Sequence, residues 1–500
     1  MNPDILFSFF FLLLGLRTAL WWMQCWQIRE YRWDRLRSYL WGTKEGTRNI
    51  FNLWFFKGIL PRPKISGRIF MMAGIFLFLS GYLFAPLMKG GFGGFWGILN
   101  NFPLFFTALL WERTIWFSLW LSVLLSRIPV FFAQRILFSI ARHIVARSQN
   151  ITRIGITGSY GKSSTKEILA HLLISKFGKE NVIFNPENQN HEVAIARLIL
   201  KNKGFFRNPP NPPLKKGASR KQKFFIAEIG AYRIGEIRRV CRFVQPHVGI
   251  ITGLNSQHIS LFGSQENIRQ AKFELAESAS DKVFFNADNE LLQQIFRDRE
   301  IRAVKIPISF SVIQNTKSFL DKTEFDLYGE HMTLPWPGEF FVQNALLASE
   351  AARECGVSPH EIAMSLKTLA PLPKALSVGT HASGATILSD IYSANPDGVL
   401  EAIKHLQKSP GKKIFVSIPL FELGHHGESV HRKIFTALAD IQAEVFWIKK
   451  DFADIGKKIC GEHFHGENIP LLKKIISTLK KGDMVLLESR LPGNIMKLFT

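Results

Sequence analysis

Cysteine is scarce in this chain, with four in 500 residues. They stand far apart, at Cys25, Cys241, Cys355 and Cys460, and form no CxxC pair. That spacing excludes a zinc knuckle and a disulfide framework, and it fits a reducing compartment. Acidic residues are also short, with 40 Asp and Glu against 63 Lys and Arg and a formal charge of +23. Charge alone admits a nucleic acid, an anionic membrane surface or a basic proteome. The basic residues are spread over the whole chain and build no cluster interleaved with aromatics, so no nucleic-acid partner is expected.

What the chain has in quantity is apolar residues, 47% of the total, including 44 Phe and 12 Trp. A chain of this length can bury the cores of two to four domains. The aromatics concentrate before residue 135, as if two different proteins had been joined. Residues 5–23 are apolar apart from Arg17, and 69–88 carry no charge over about the length that crosses a bilayer. A third apolar region, 104–132, is interrupted by Glu112 and Arg113 and again by Arg127 and Pro129. A cleaved signal peptide is not expected, because Arg17 and the pair Trp21 and Trp22 stand where small residues should. Nine basic residues from Arg29 to Lys64 lie between the first two apolar runs, and Arg135, Arg142 and Arg147 follow the third. The positive-inside rule then gives three transmembrane helices in residues 1–150 with everything after them in the cytoplasm, a multi-pass protein of the cell membrane.

The chemistry begins at once after this anchor. Residues 153–157 read as a strand, and 163–177 as a helix with apolar Ile168, Leu169, Leu172 and Leu173. Between them lies Thr157-Gly158-Ser159-Tyr160-Gly161-Lys162-Ser163-Ser164. Strand, glycine loop and helix form the context in which backbone amides and a helix N-terminus cradle phosphates, a lysine adds a point charge and a hydroxyl reaches Mg²⁺. Gly158, Ser159, Gly161, Lys162, Ser163 and Ser164 are therefore candidate ATP-binding residues. The full GxxxxGK[ST] pattern is not met, since Ile156 replaces its first glycine.

In order along the chain follow Asn185-Pro186-Glu187-Asn188-Gln189-Asn190; Glu228 at the end of an apolar run, then Gly230-Ala231 and Gly235-Glu236-Ile237; His258 and Lys272; Asn286-Ala287-Asp288; and Asp390-Ile391-Tyr392-Ser393-Ala394-Asn395-Pro396. From about residue 151 to 490 this series resembles the Mur ligases, most of all their MurF branch. The resemblance implies an α/β fold, with a P-loop central domain on a parallel-rich sheet (151–370) and a C-terminal Rossmann-like domain (371–500). It implies an ATP-dependent ligase that joins a carboxylate to an amine through an acyl phosphate, in peptidoglycan precursor synthesis. Ser163 and Glu228 are then ligands of one Mg²⁺, with His258 and a carbamylated Lys272 serving a second. Lys162, Lys272 and His258 become the catalytic set. Asn286 meets the adenine and Asp390 the ribose, whereas Asn188, Asn190, Tyr392 and Asn395 face substrate.

The departures carry information too. Ala375 stands at the family's arginine, Ile418-Pro419-Leu420 at its G-D-M, and Glu488-Ser489-Arg490 at its K-G-S-R. All three fall on the domain that supplies the amine, so a different cell-envelope acceptor, or a catalytically impaired membrane scaffold, are the alternatives. The anchor occupies the place of the usual UDP-gripping domain, which leaves a cell-wall peptide precursor, lipid-linked in one version, as the expected partner. Residues 201–223, rich in Pro, Asn and Lys, read as a flexible insertion.

Overall fold

The computed structural model describes residues 104–186, 189–207, 222–255, 259–370, 376–390, 396–420, 423 and 426–499, with short helical stretches within 19–27 and 66–76. The chain divides into two compact units, Met1–Leu137 and Phe138–Thr500. Most of the first two apolar runs lies outside the described residues. In the first unit Ala19, Met23 and Ile69 bury against one another.

The third apolar region is one continuous helix, Leu104–Ala146, which runs straight through Pro129. The interruption expected at Arg127 and Pro129 does not end it. Among the described residues, its part Trp120–Ala146 is the one helix long and apolar enough to cross a membrane. Its amphipathicity is inverted relative to a core helix. Ser118, Ser122 and Ser126 are buried, while Leu124, Leu125, Ile128, Phe131, Phe132, Ile136 and Ile140 are exposed.

The second unit is built on two large sheets, the first wholly parallel and the second mixed. The first contains β1 (Ile151–Thr157), β2 (Val182–Phe184), β3 (Lys223–Glu228), β4 (Val248–Ile251), β5 (Lys282–Asn286) and β6 (Val304–Ile308), in the order β2-β3-β1-β4-β5-β6. Every pairing in it is parallel. Such strands are covered on both faces and so read as unbroken apolar runs, as Phe224 to Ala227 do; all four are fully buried. The chain leaves β1 toward β2 on one side and leaves β4 toward β5 on the other. That divergence opens a crevice at the adjacent C-terminal ends of β1 and β4. Helices Lys162–Phe177 and Glu339–Glu354 cover one face, sharing a core with the sheet through Ile168, Leu172, Val342 and Leu346.

A small antiparallel sheet, β7 (Gln314–Ser318), β8 (Thr323–Leu327) and β9 (Glu330–Leu334), follows. Alternate residues Phe325, Leu327, Met332 and Leu334 join the same core, as period-two strands with one wet face require. The second large sheet orders β10 (Ser377–Thr380), β11 (Thr386–Asp390), β12 (Lys413–Ser417), β13 (Glu444–Trp447) and β14 (Met484–Glu488) as β10-β11-β14-β12-β13, parallel except at β10. The insertion expected to be flexible is packed at its start. Phe206, in the helical turn Lys203–Phe206, is buried edge-on against Phe225, while 208–221 lie outside the described residues.

His431 shows how the second sheet is tied to its covering helix, Gly427–Asp440. Its Nδ1 donates to the Gly427 carbonyl at 2.7 Å, and its Nε2 accepts from the Leu420 amide at 3.0 Å. Phe452 stacks on the ring at 4.1 Å. Burial pushes this imidazole down to about 4. The folded protein thus keeps it neutral where the unfolded chain takes a proton near 6.5, so the stabilisation present above pH 6.5 is lost as pH falls toward 4. A loss of about 3 kcal/mol over that window follows at 1.36 kcal/mol per unit. Denaturant titrations at pH 7.5 and 4.5 should show it, and His431→Gln should be less stable at pH 7.5 yet lose less on acidification.

Candidate active site

Where β1 ends, the chain turns through Gly158 to Gly161 and enters helix Lys162–Phe177. Gly161 holds φ at 73°, a left-handed conformation that favours glycine. A Cβ there would also lie 2.3 Å from Asn344 Oδ1. Asn344 is buried on helix Glu339–Glu354 and donates through Nδ2 to Ser164 Oγ at 3.0 Å, while Ser164 Oγ donates to the Gly161 carbonyl at 3.0 Å. The turn is therefore locked from a helix far away in the chain. On its other side the Ser159 amide donates to the Gly253 carbonyl at 2.7 Å, and Thr252 Oγ1 donates to the Tyr160 carbonyl.

Lys162 Nζ donates to the Gly158 and Ser159 carbonyls at 2.7 and 3.1 Å. Burial lowers its pKa, against the opposing pull of Glu228. Glu228 ends β3, beside Ile156 of β1 in register, which puts its carboxylate next to the loop. Ser163 Oγ donates to it at 3.0 Å to either oxygen, Asn190 Nδ2 donates at 3.0 Å, and Lys166 Nζ pairs with it at 3.3 Å. Its backbone is gripped as well. Asn185 Oδ1 accepts from the Glu228 amide at 2.7 Å, and Asn185 Nδ2 donates to the Glu228 carbonyl at 3.1 Å. Gly230 leaves room for Asn190, whose Oδ1 would be 2.9 Å from a Cβ at 230.

Two members of this cluster were not singled out from the sequence. Lys166 is fully buried and donates to the Asn185 carbonyl at 2.9 Å. Asn185 stood in the quoted string without a role. The signal for Lys166 was its spacing, four residues after Lys162 and three after Ser163, which places all three on one helix face.

Lys272 lies on helix Gln265–Ser278 and is buried. Burial, then the positive charge of Lys162, lower its pKa to about 7, while Glu236 and Glu274 oppose them. Asn286 is occupied with backbone: Nδ2 donates to the Thr252 carbonyl at 3.2 Å, and Oδ1 accepts from the Asp288 amide at 2.9 Å. Asp390 belongs to the other sheet, at the end of β11 beside Glu488 of β14. Asn188, His258, Tyr392 and Asn395 lie outside the described residues, as does Ala375. The structure thus gathers Gly158, Ser159, Gly161, Lys162, Ser163, Ser164, Asn190 and Glu228, sets Lys272 within the field of Lys162, and holds Asn286 behind the loop. It does not bring Asp390 to this cluster by any contact among the described residues.

Residues 156–352 match a family model, the Mur ligase middle domain. A UDP-N-acetylmuramoyl-tripeptide--D-alanyl-D-alanine ligase of Mycobacterium tuberculosis is 28% identical over 316 residues, which cover 59% of this chain and 57% of that relative. The chain thus spans little more than half the length of the relative. Among solved structures, MurF from Acinetobacter baumannii superposes with a TM-score of 0.62 at 21% identity, covering 73% of this chain and 79% of that one. MurF from Thermotoga maritima, in complex with ADP, gives 0.58 at 22% identity, covering 72% and 81%. Over the part it shares with them, the chain has the fold of these MurF structures.

The departures noted at the C-terminal sheet are built into its interior. Ile418 and Leu420 are buried, and the Leu420 amide is the one held by His431. Glu488 is fully buried with neither carboxyl oxygen hydrogen-bonded, and burial together with Asp390 raises its pKa well above the carboxylate range. A group raised in the folded state stabilises below its unfolded pKa, and that contribution is lost as pH rises through the folded value. Glu488→Gln should therefore melt higher than the parent at pH 8, with the gap closing toward pH 5 in thermal scans.

Proposed function

We propose that this chain is an ATP-dependent ligase of the MurF type, joining the carboxylate of a cell-wall peptide precursor to an amine through an acyl phosphate. The observation that carries the reading is the convergence of Lys162, Ser163 and Glu228 at the C-terminal ends of β1 and β3. The similarity of residues 156–352 to the Mur ligase middle domain, and of 73% of the chain to a MurF structure, supports it.

The donors fit a hard divalent cation. A hydroxyl and a carboxylate, 3.0 Å apart beside a phosphate loop, are the oxygen ligands that Mg²⁺ accepts while keeping waters and phosphate oxygens. When bound, Mg²⁺ neutralises charge on the terminal phosphates. Lys162 and the first-turn amides of its helix stabilise the transferred phosphoryl group as the substrate carboxylate attacks. Lys166 holds Glu228 in place throughout. Lys272, near neutrality, presents an amine able to add CO₂, and the carbamate so formed offers oxygen donors instead of a repelling cation. With His258 it would serve a second ion. Domain closure would exclude water from the acyl phosphate.

The chain is further proposed to sit in the cell membrane as a multi-pass protein with its catalytic unit in the cytoplasm. Support comes from helix Leu104–Ala146, whose outward apolar and inward serine faces suit lipid rather than water. A membrane position agrees with a lipid-linked precursor. One specific observation favours a second reading, in which the acceptor amine differs from that of the relatives: Glu488 lies buried beside Asp390 where the family motif has glycine.

Two outcomes test the reading. Purified protein with ATP, Mg²⁺ and candidate wall peptides should release ADP in an amine-dependent manner, and Lys162→Ala should lower that rate about 100-fold or more. ADP release without any amine dependence, or full activity in Lys162→Ala, would contradict it. Bicarbonate depletion should slow the parent enzyme and leave the residual activity of Lys272→Ala unchanged; equal sensitivity of both proteins would remove the carbamate.

A further inference from the structure

The opposite end of the first sheet carries a second, chemically distinct feature. At the N-terminal edges of β1, β4 and β5 lies an open cavity of about 490 Å³, lined by Arg142, Arg153, Cys241, Arg242, Gln245, Pro246, His247, Ser278 and Ser280. Three arginines line it and no carboxylate does. Arg142 comes from the end of helix Leu104–Ala146, Arg153 from β1, and Arg242 from helix Glu236–Val244.

Its hydrogen bonding is unbalanced. Arg153 is buried to 9% exposure, yet its guanidinium meets only neutral acceptors: Nε donates to the Gln245 carbonyl at 2.7 Å, and Nη2 approaches His247 Nε2 at 2.7 Å. The Arg153 amide points at the other ring nitrogen, Nδ1, at 3.3 Å. A neutral imidazole has a single lone-pair nitrogen, so it cannot accept from both. One Arg153 donor is thus left without an acceptor, on a buried cation that no carboxylate of the lining answers, which is costly unless an anion completes it. Arg142 and Arg242 are exposed at its mouth, and none of the three arginines is ion-paired among the described residues.

We infer that this cavity is a binding site for a phosphate-bearing anion, distinct from the nucleotide site at the other end of the strands. Tetrahedral oxyanions suit it because arginine forks bind phosphate oxygens in pairs and the Ser280 hydroxyl adds a donor, the Ser278 hydroxyl being committed to the Glu274 carbonyl at 2.6 Å. The volume suits a phosphorylated small molecule or a lipid headgroup. A headgroup source rests on the proposal that the helix bearing Arg142 is membrane-embedded; the phosphate chemistry does not.

The test uses the full chain in uncharged detergent with saturating Mg²⁺ and ADP, so that the nucleotide site is occupied. Calorimetric titration with glycerol 3-phosphate and with dihexanoyl phosphatidic acid should each give one saturable site. In the double variant Arg142→Gln/Arg242→Gln, affinity should fall at least 10-fold, and Ser280→Glu should do the same by placing a carboxylate in the lining. These positions are exposed, and an unchanged melting temperature shows that each variant folds. Tighter binding of the lipid assigns the source to a membrane headgroup, and equal binding assigns it to a soluble phosphate ester. Absence of saturable binding by both ligands, or undiminished affinity in either folded variant, overturns the site.

Discussion

A carboxylate almost shut off from water, Glu228, is the constraint around which the first sheet of the second unit is arranged. An uncompensated buried charge is untenable, so its surroundings must answer it from several directions. Lys166 supplies the opposite charge from one helix, Ser163 a hydroxyl from the same helix, and Asn190 an amide from the segment after β2. Asn185 fixes the backbone on which the carboxylate rides. The parallel sheet makes this convergence possible, because it delivers the ends of β1, β2 and β3 to one edge.

Much of this was legible in the amino-acid order. The glycine turn between a strand and a helix is encoded within a dozen residues, and an apolar run ending in Glu228 has the form of a buried parallel strand. What could not be read were relations between distant segments. Lys166 shares a helix face with Lys162 and Ser163, but its partner emerges only when the strand carrying Glu228 is laid beside it. Asn344 lies 180 residues from Ser164, and its contact with Gly161 exists only once two helices pack. Conversely, Pro129 was read as an interruption, yet the helix continues through it; loss of one backbone hydrogen bond is absorbed within a 43-residue helix.

The two ends of the first sheet differ in their chemistry. Its C-terminal edge gathers a carboxylate, hydroxyls and amides. Its N-terminal edge carries a cavity lined by three guanidinium groups and by no carboxylate. The inverted helix Leu104–Ala146 ends at that second edge through Arg142, so the charge of the edge and the apolar character of the helix meet on one element.

The missing methyl of Gly161 is, in effect, a socket for the side chain of Asn344. Positions 161 and 344 are therefore a lock and its key: enlarging the first demands shortening the second, and neither can drift alone. Because Asn344 belongs to a helix that shares its core with the helix after the turn, the shape of the turn and the spacing of that helix pair are mechanically coupled.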